Sequence, residues 1–132
     1  MTHMLQMHFS QTDAGIAPIP TWDPAATAAH IAFMRTAVAE LTAAGELVEA
    51  QGLALPDSAR IVRAGEDGPS VTAGPFPDDK EFLFGWWIVN CATDERVLEI
   101  AAMLSAAPGH DGRPMNMPIE VREVLAEPPA QP

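Results

Sequence analysis

Residues 71–91, VTAGPFPDDKEFLFGWWIVNC, decide how this chain folds. A short β-prone piece, Val71–Ala73, stops at Gly74-Pro75. An acidic turn follows, Pro77-Asp78-Asp79-Lys80-Glu81. Then come ten residues, Phe82 to Cys91, with Asn90 their single polar side chain. A strand covered on one side only should alternate apolar and polar residues. This one does not: strict alternation sends Phe82, Phe84, Trp86 and Ile88 to one face and Leu83, Trp87 and Val89 to the other. Both faces call for burial.

The flanking sequence supplies one cover. Residues 4–10 read as a first strand, and residues 11–23, with a glycine and two prolines, as an irregular loop. Asp23-Pro24 offers an N-cap and a proline at the first helical position. The Ala-rich run to Ala44 carries Ile31, Met34, Val38 and Leu41 at helical spacing, and Gly45 closes it. A second strand spans about Leu47 to Gly52. Residues 59–64 and 69–73 flank Gly65-Glu66-Asp67-Gly68, a hairpin signal. After the 82–91 strand, Thr93-Asp94-Glu95 starts a second helix with buried stripe Val97, Ile100, Ala101 and Leu104, ended by Pro108-Gly109. The loop GHDGRPMNMP leads to a last strand, about Pro118 to Val124.

The order β-α-β, hairpin, β-α-β is the split βαβ plan of the ferredoxin-like α+β fold: an antiparallel sheet, both helices on one face, and an inserted hairpin. The helices cover one face of strand 82–91. A chain this short has no further element for the other, so the second cover is expected from another subunit, sheet against sheet. The expectation is a homodimer with one face of strand 82–90 in the interface, which Trp87→Glu would break. The competing reading folds loop 11–22 or the hairpin across that face. Residues 1–125 read as a single domain, and 126–132 as a disordered proline-rich tail.

Composition narrows the function. The 132 residues carry a formal net charge of −11, with 7 Lys and Arg against 18 Asp and Glu. So few cations cannot track a phosphate backbone or an anionic membrane surface, which excludes nucleic acid and membrane partners. No apolar run is long enough for a membrane helix, and the N-terminus lacks a signal-peptide pattern, so a cytoplasmic location is expected. Cys91 is the one cysteine, which rules out an internal disulfide and a cysteine metal cluster. Phosphate-binding glycine loops, nucleophile elbows and His-Glu-x-x-His are absent, so no cofactor is implied.

Several of these residues together resemble the YCII-related proteins of the DGPF type. Gly74-Pro75-Phe76, Lys80-Glu81 and Gly85-Trp86-Trp87-Ile88 match that pattern in order and spacing. Ile119-Glu120-Val121-Arg122 is similar to the closing strand, and Leu41 through Gly52-Leu53 to the end of the first helix and the second strand. Two positions depart: the signature Asp is Ala73, and the Thr of Thr-Lys-Glu is Asp79. The loop 108–118 is also longer than the pattern. The resemblance implies the dimeric α+β barrel arrangement. It also permits a cofactor-free lyase or isomerase, because the wider group includes dehydrochlorinase-like and muconolactone-isomerase-like enzymes. A non-catalytic small-molecule-binding or regulatory accessory protein is the alternative, and Ala73 leans toward it.

His30 is the leading site candidate. Its helical phase sets it on the border of the buried face, and the resemblance implies a histidine in the first helix paired with an aspartate. Imidazole suits proton transfer near neutral pH on a small organic substrate. Asp78 and Asp79, in the turn before the central strand, are its candidate acidic partners. The competing reading is a helix-border histidine bonded to backbone or water. His8 shares a strand face with Gln6 and Ser10, and His110 lies in a loop beside Asp111. No pair among His8, His30 and His110 has metal-ligand spacing, so no metal site is inferred. His3 reads as a disordered terminal residue.

Overall fold

A computed structural model describes residues 1–10, 21–77 and 81–126. Residues 11–20 of the irregular segment expected over 11–23, Asp78 and Asp79, and most of the expected tail lie outside the described residues. The elements are β1 (Thr2–Ser10), α1 (Pro24–Ala43), β2 (Leu47–Gly52), β3 (Arg60–Arg63), β4 (Ser70–Ala73), β5 (Glu81–Asn90), α2 (Asp94–Ser105) and β6 (Ile119–Glu123). Four strands form one sheet in the order β2-β5-β1-β6, with every neighbour antiparallel. β3 and β4 pair separately as the inserted hairpin. This is the split βαβ arrangement of the ferredoxin-like fold. No helix among the described residues is long and apolar enough to cross a membrane.

The helices begin where side chains satisfy their first free N–H groups. The Asp23 carboxylate accepts from Ala25 N at 3.1 Å, with Pro24 in the first turn. The Thr93 hydroxyl accepts from Arg96 N at 3.2 Å, and Asp94 and Glu95 fill the first turn of α2. Gly45, at φ 72°, closes α1 in the left-handed region. α2 stops at Ser105, before the expected Pro108, because the chain turns to build the loop described below.

Both helices pack on one face of the sheet. Val97, Ile100, Ala101 and Leu104 of α2 are buried as their spacing predicts, against Leu5, Trp87 and Val89 of the central strands. Each fully buried aliphatic side chain contributes about 1.5–3 kcal/mol relative to exposure. α1 departs from expectation. Its buried residues are His30, Ala37 and Leu41, while Ile31 is 43% exposed and Met34 and Val38 are half-buried. The helix is rotated so that Ala37 faces the core. In an Ala-rich helix the large apolar residues alone do not mark the buried line, because a small alanine permits the closest approach.

The strand that decided the fold carries a second correction. Trp87 and Val89 lie under the helices, opposite Leu5 and His3 of β1. Trp86 and Ile88 lie on the other face, opposite Gln6 and Met4. The β1–β5 register then skips Phe84, a β-bulge, so that Leu83 comes opposite His8 and Phe82 opposite Phe9. Directly opposed residues share a face. Phe82 therefore leaves the Trp86 face and becomes buried, while Leu83 takes its place. Trp87 belongs to the chain's own core, so the tryptophan free for an outward contact is Trp86.

β1 starts two residues earlier than expected. Thr2 pairs with Asn90, and His3 with both Val89 and Glu123. His3 is consequently buried in the sheet, at 7% exposure, with its Nε2 3.8 Å from Asp94 Oδ1.

An ion pair ties the start of β2 to α2. Arg96 donates from Nε to Glu46 Oε2 and from Nη2 to Glu46 Oε1, both at 2.9 Å. This two-pronged contact holds the Glu46 carboxyl below the usual carboxylate range. Cys91 is buried beside it, and burial, then the Glu46 charge, push its thiol up.

Candidate functional site

His30 sits near the start of α1, reached through Trp22, Asp23 and Pro24. Its ring is nearly enclosed, at 9% exposure. Nδ1 lies 3.0 Å from the carbonyl oxygen of Pro108, just beyond α2. A carbonyl only accepts, so Nδ1 carries the hydrogen in this bond. In the neutral ring that assignment leaves the lone pair on Nε2. The Trp22 ring stands edge-on to the imidazole, at 5.4 Å and 89°. His110 lies against Trp22 as well, at 6.4 Å, but is exposed. The buried indole thus has two histidine rings as neighbours.

The loop that presents Pro108 is tightly bonded. Gly109 N donates to Arg113 O at 2.8 Å, Met115 N to Ala107 O at 2.8 Å, and the Ser105 hydroxyl to Met117 O at 2.6 Å. Asp111 Oδ1 accepts from Arg113 N at 3.0 Å, and that backbone bond holds the Asp111 carboxyl below its ordinary range. Gly112 turns the chain at φ 79°. Bonds at both ends of the loop fix the carbonyl that meets His30, so the extra length of residues 108–118 builds a support for the imidazole.

His30 also borders an open, shallow cleft of about 360 Å³ whose described lining, Ile31, Met34, Arg35, Val38 and Ala39, belongs to α1 alone. The lining is apolar apart from the imidazole and one guanidinium.

The sequence-derived candidates separate here. His30 is in place, deeper than the border position expected. Asp78 and Asp79 lie outside the described residues, and among the described residues no carboxylate bonds to His30. Glu81 opens β5 opposite Ser10, at the end of the sheet from which the chain proceeds toward α1. His8 is on the far side of the sheet, its Nε2 3.3 Å from Gln6 Oε1, so it cannot join His30. Among the described residues no three His, Cys, Asp or Glu side chains are grouped to hold a metal ion. Sequence reasoning missed Trp22 and the Pro108 carbonyl. Trp22 had a usable signal, since an apolar residue just before an N-cap commonly packs back on the helix. A backbone carbonyl has none.

An antiparallel split βαβ domain, with a histidine of its first helix anchored beside a cleft, is the class of protein that these features define. Within it, the model of the YCII-related domain matches residues 1–110, and the chain belongs to that family. The matched span runs from β1 through α2 and includes His30 and Pro108. No match was found among curated proteins.

Proposed function

We propose that the protein is a cofactor-free lyase or isomerase that moves a proton on a small organic substrate, with His30 Nε2 as the proton acceptor. The observation that carries this reading is the Nδ1–Pro108 bond. It holds the imidazole in the tautomer whose free lone pair is on Nε2. The same bond persists when Nε2 is protonated, because Nδ1 donates in both states, so uptake of a proton requires no rearrangement. In the proposed step Nε2 takes a proton from a substrate carbon. The electron pair left behind expels a leaving group, or shifts so that another carbon is reprotonated from Nε2. Asp78 or Asp79, which precede β5 in the sequence, is proposed as the acidic partner of the imidazolium.

A homodimer through the outer sheet face belongs to the same reading. Trp86, Ile88 and Met4 form an apolar centre there, and the Trp86 indole nitrogen is shielded from solvent with no hydrogen-bond partner among the described residues.

A second reading, a non-catalytic small-molecule-binding or regulatory accessory protein, is favoured by two observations. The described lining of the cleft holds no carboxylate, and Ala73 stands where relatives of the DGPF type carry aspartate. The two separate in heavy water. Wild type and His30→Gln are incubated with a panel of small carboxylates and phenols, and carbon-bound deuterium is read by NMR. Deuterium incorporation or conversion by wild type, lost in His30→Gln, supports the enzyme. Ligand binding without incorporation in either protein supports the accessory protein. Incorporation unchanged by His30→Gln removes His30 from the mechanism.

A further inference from the structure

We infer that Trp22 is a positioning residue for His30: its indole bars the imidazole from turning over and so keeps Nδ1 on the Pro108 carbonyl. This rests on reading His30 as the proton-transfer group. One hydrogen bond does not by itself fix a histidine ring, because rotation about its Cβ–Cγ bond is broad and roughly two-fold. A half-turn exchanges Nδ1 with Cδ2 and Nε2 with Cε1. It would set a C–H against the Pro108 oxygen and carry Nε2 to another place. A wall beside the ring raises the cost of that half-turn.

Three observations assign the wall to Trp22. First, its ring stands perpendicular to the imidazole, at 89° and 5.4 Å between centroids. That is contact distance for an aromatic pair, so a turning imidazole must displace the indole. Second, Trp22 is buried, at 7% exposure, yet outside the sheet core. Among the described residues that core takes Ala37 and Leu41 from α1, with Met34 packed against it, and does not include Trp22. An apolar residue just before an N-cap commonly packs near the fourth helical position, here Thr27. The large indole extends one turn further, to His30. Third, the indole is held from two directions. Next to it in the chain, the Asp23 carboxylate accepts from Ala25 N at 3.1 Å and the Asp23 carbonyl from Thr27 N at 3.0 Å. Across from it, His110 lies at 6.4 Å, two residues beyond Pro108 on the bonded loop. The loop therefore meets both rings, with Pro108 on the imidazole and His110 against the indole.

The tautomer of His30 tests this without any substrate. Imidazole nitrogen shifts are read by ¹⁵N NMR at about pH 8.5, where an ordinary imidazole is neutral. The proteins are wild type, Trp22→Leu and Trp22→Phe, with His30→Gln to assign the signals and far-UV circular dichroism to check folding. Wild type should show Nδ1 protonated and Nε2 bare, with nuclear Overhauser contacts between indole and imidazole protons. Trp22→Leu should lower the ratio of the Nδ1–H to the Nε2–H form by about two- to tenfold, the scale of one aromatic pair. Trp22→Phe, which keeps a ring at the contact, should lie between the two. A residue that only fills space would change stability and leave the tautomer alone, so an unchanged ratio in Trp22→Leu, or equal loss in both variants, would overturn the assignment. Should Trp22→Leu fail to fold, the wild-type contacts and Trp22→Phe decide, and missing contacts or a Trp22→Phe ratio equal to wild type would overturn it. An Nε2–H form in wild type would instead remove the Pro108 bond, and the proposed mechanism with it, so the two failures are distinct.

Discussion

Gly85 should be among the least replaceable residues of the central strand, and Gly52, its partner across β2 and β5, among the more tolerant. A Cβ built on Gly85 meets the carbonyl oxygen of Gln51 at 2.7 Å and Gly52 Cα at 3.3 Å, both backbone atoms. Ordinary contact begins near 3.4 Å, so the Gln51 carbonyl must retreat by 0.7 Å. That movement strains the hydrogen-bonded ladder holding β2, the edge strand, onto β5. Overpacking of this kind costs roughly 1–3 kcal/mol. Replacing glycine by alanine offsets about 0.4–1 kcal/mol of it by restricting the unfolded chain. Gly85→Ala should therefore lose on the order of 0.5–2.5 kcal/mol. A Cβ on Gly52 meets nothing within 4 Å, so Gly52→Ala should be neutral or gain up to about 1 kcal/mol. Urea denaturation followed by tryptophan fluorescence measures both, with equal slopes confirming that midpoints can be compared. A Gly85→Ala protein as stable as wild type, or a Gly52→Ala protein that loses more, would refute the close approach of the two strands.

Further outcomes follow from the core and its ion pair. Trp87→Ala should destabilise the chain by about 3–5 kcal/mol, because the ring is buried under both helices. Trp86→Glu should keep the monomer fold and shift the sedimentation coefficient from dimer to monomer; an unfolded Trp86→Glu would count against the outward placement. The Glu46 carboxyl has its folded pKa held below its unfolded value, so its contribution to stability is present above the unfolded value, near 4.5, and is lost as pH falls through the folded one. Between pH 6 and pH 3, wild type should thus lose more stability than Glu46→Gln, and parallel curves would dismiss the contribution. Cys91 should resist a thiol reagent at pH 8 in native buffer and react at once in denaturant, since burial raises its thiol. Fast native labelling would show that the β5 end opens.

The sequence by itself determined the order of elements and the packed face of α2. Caps at Asp23 and Thr93, the hairpin glycines and the spacing of Val97, Ile100 and Leu104 are local signals, and local hydrogen bonds and periodic burial follow directly from them. The demand for cover on both faces of Phe82–Cys91 likewise came from residue types alone; the fold covers one face and leaves Trp86 and Ile88 half-buried on the other. Only the tertiary structure decided which tryptophan is inward. The bulge at Phe84 depends on how β1 pairs with β5, and a single skipped residue exchanges Phe82 and Leu83 between faces. It also decided that α1 turns Ala37 toward the core, because packing distance rather than residue size selects the contact line. His3 reads as a disordered terminal residue in the sequence because the partners that hold it in the sheet, at Val89 and Glu123, are remote in sequence. His30 was legible as a residue type at a helical phase. Its tautomer was not: it is fixed by a backbone carbonyl 78 residues away, and every residue carries such a carbonyl, so only the fold singles out the one at Pro108.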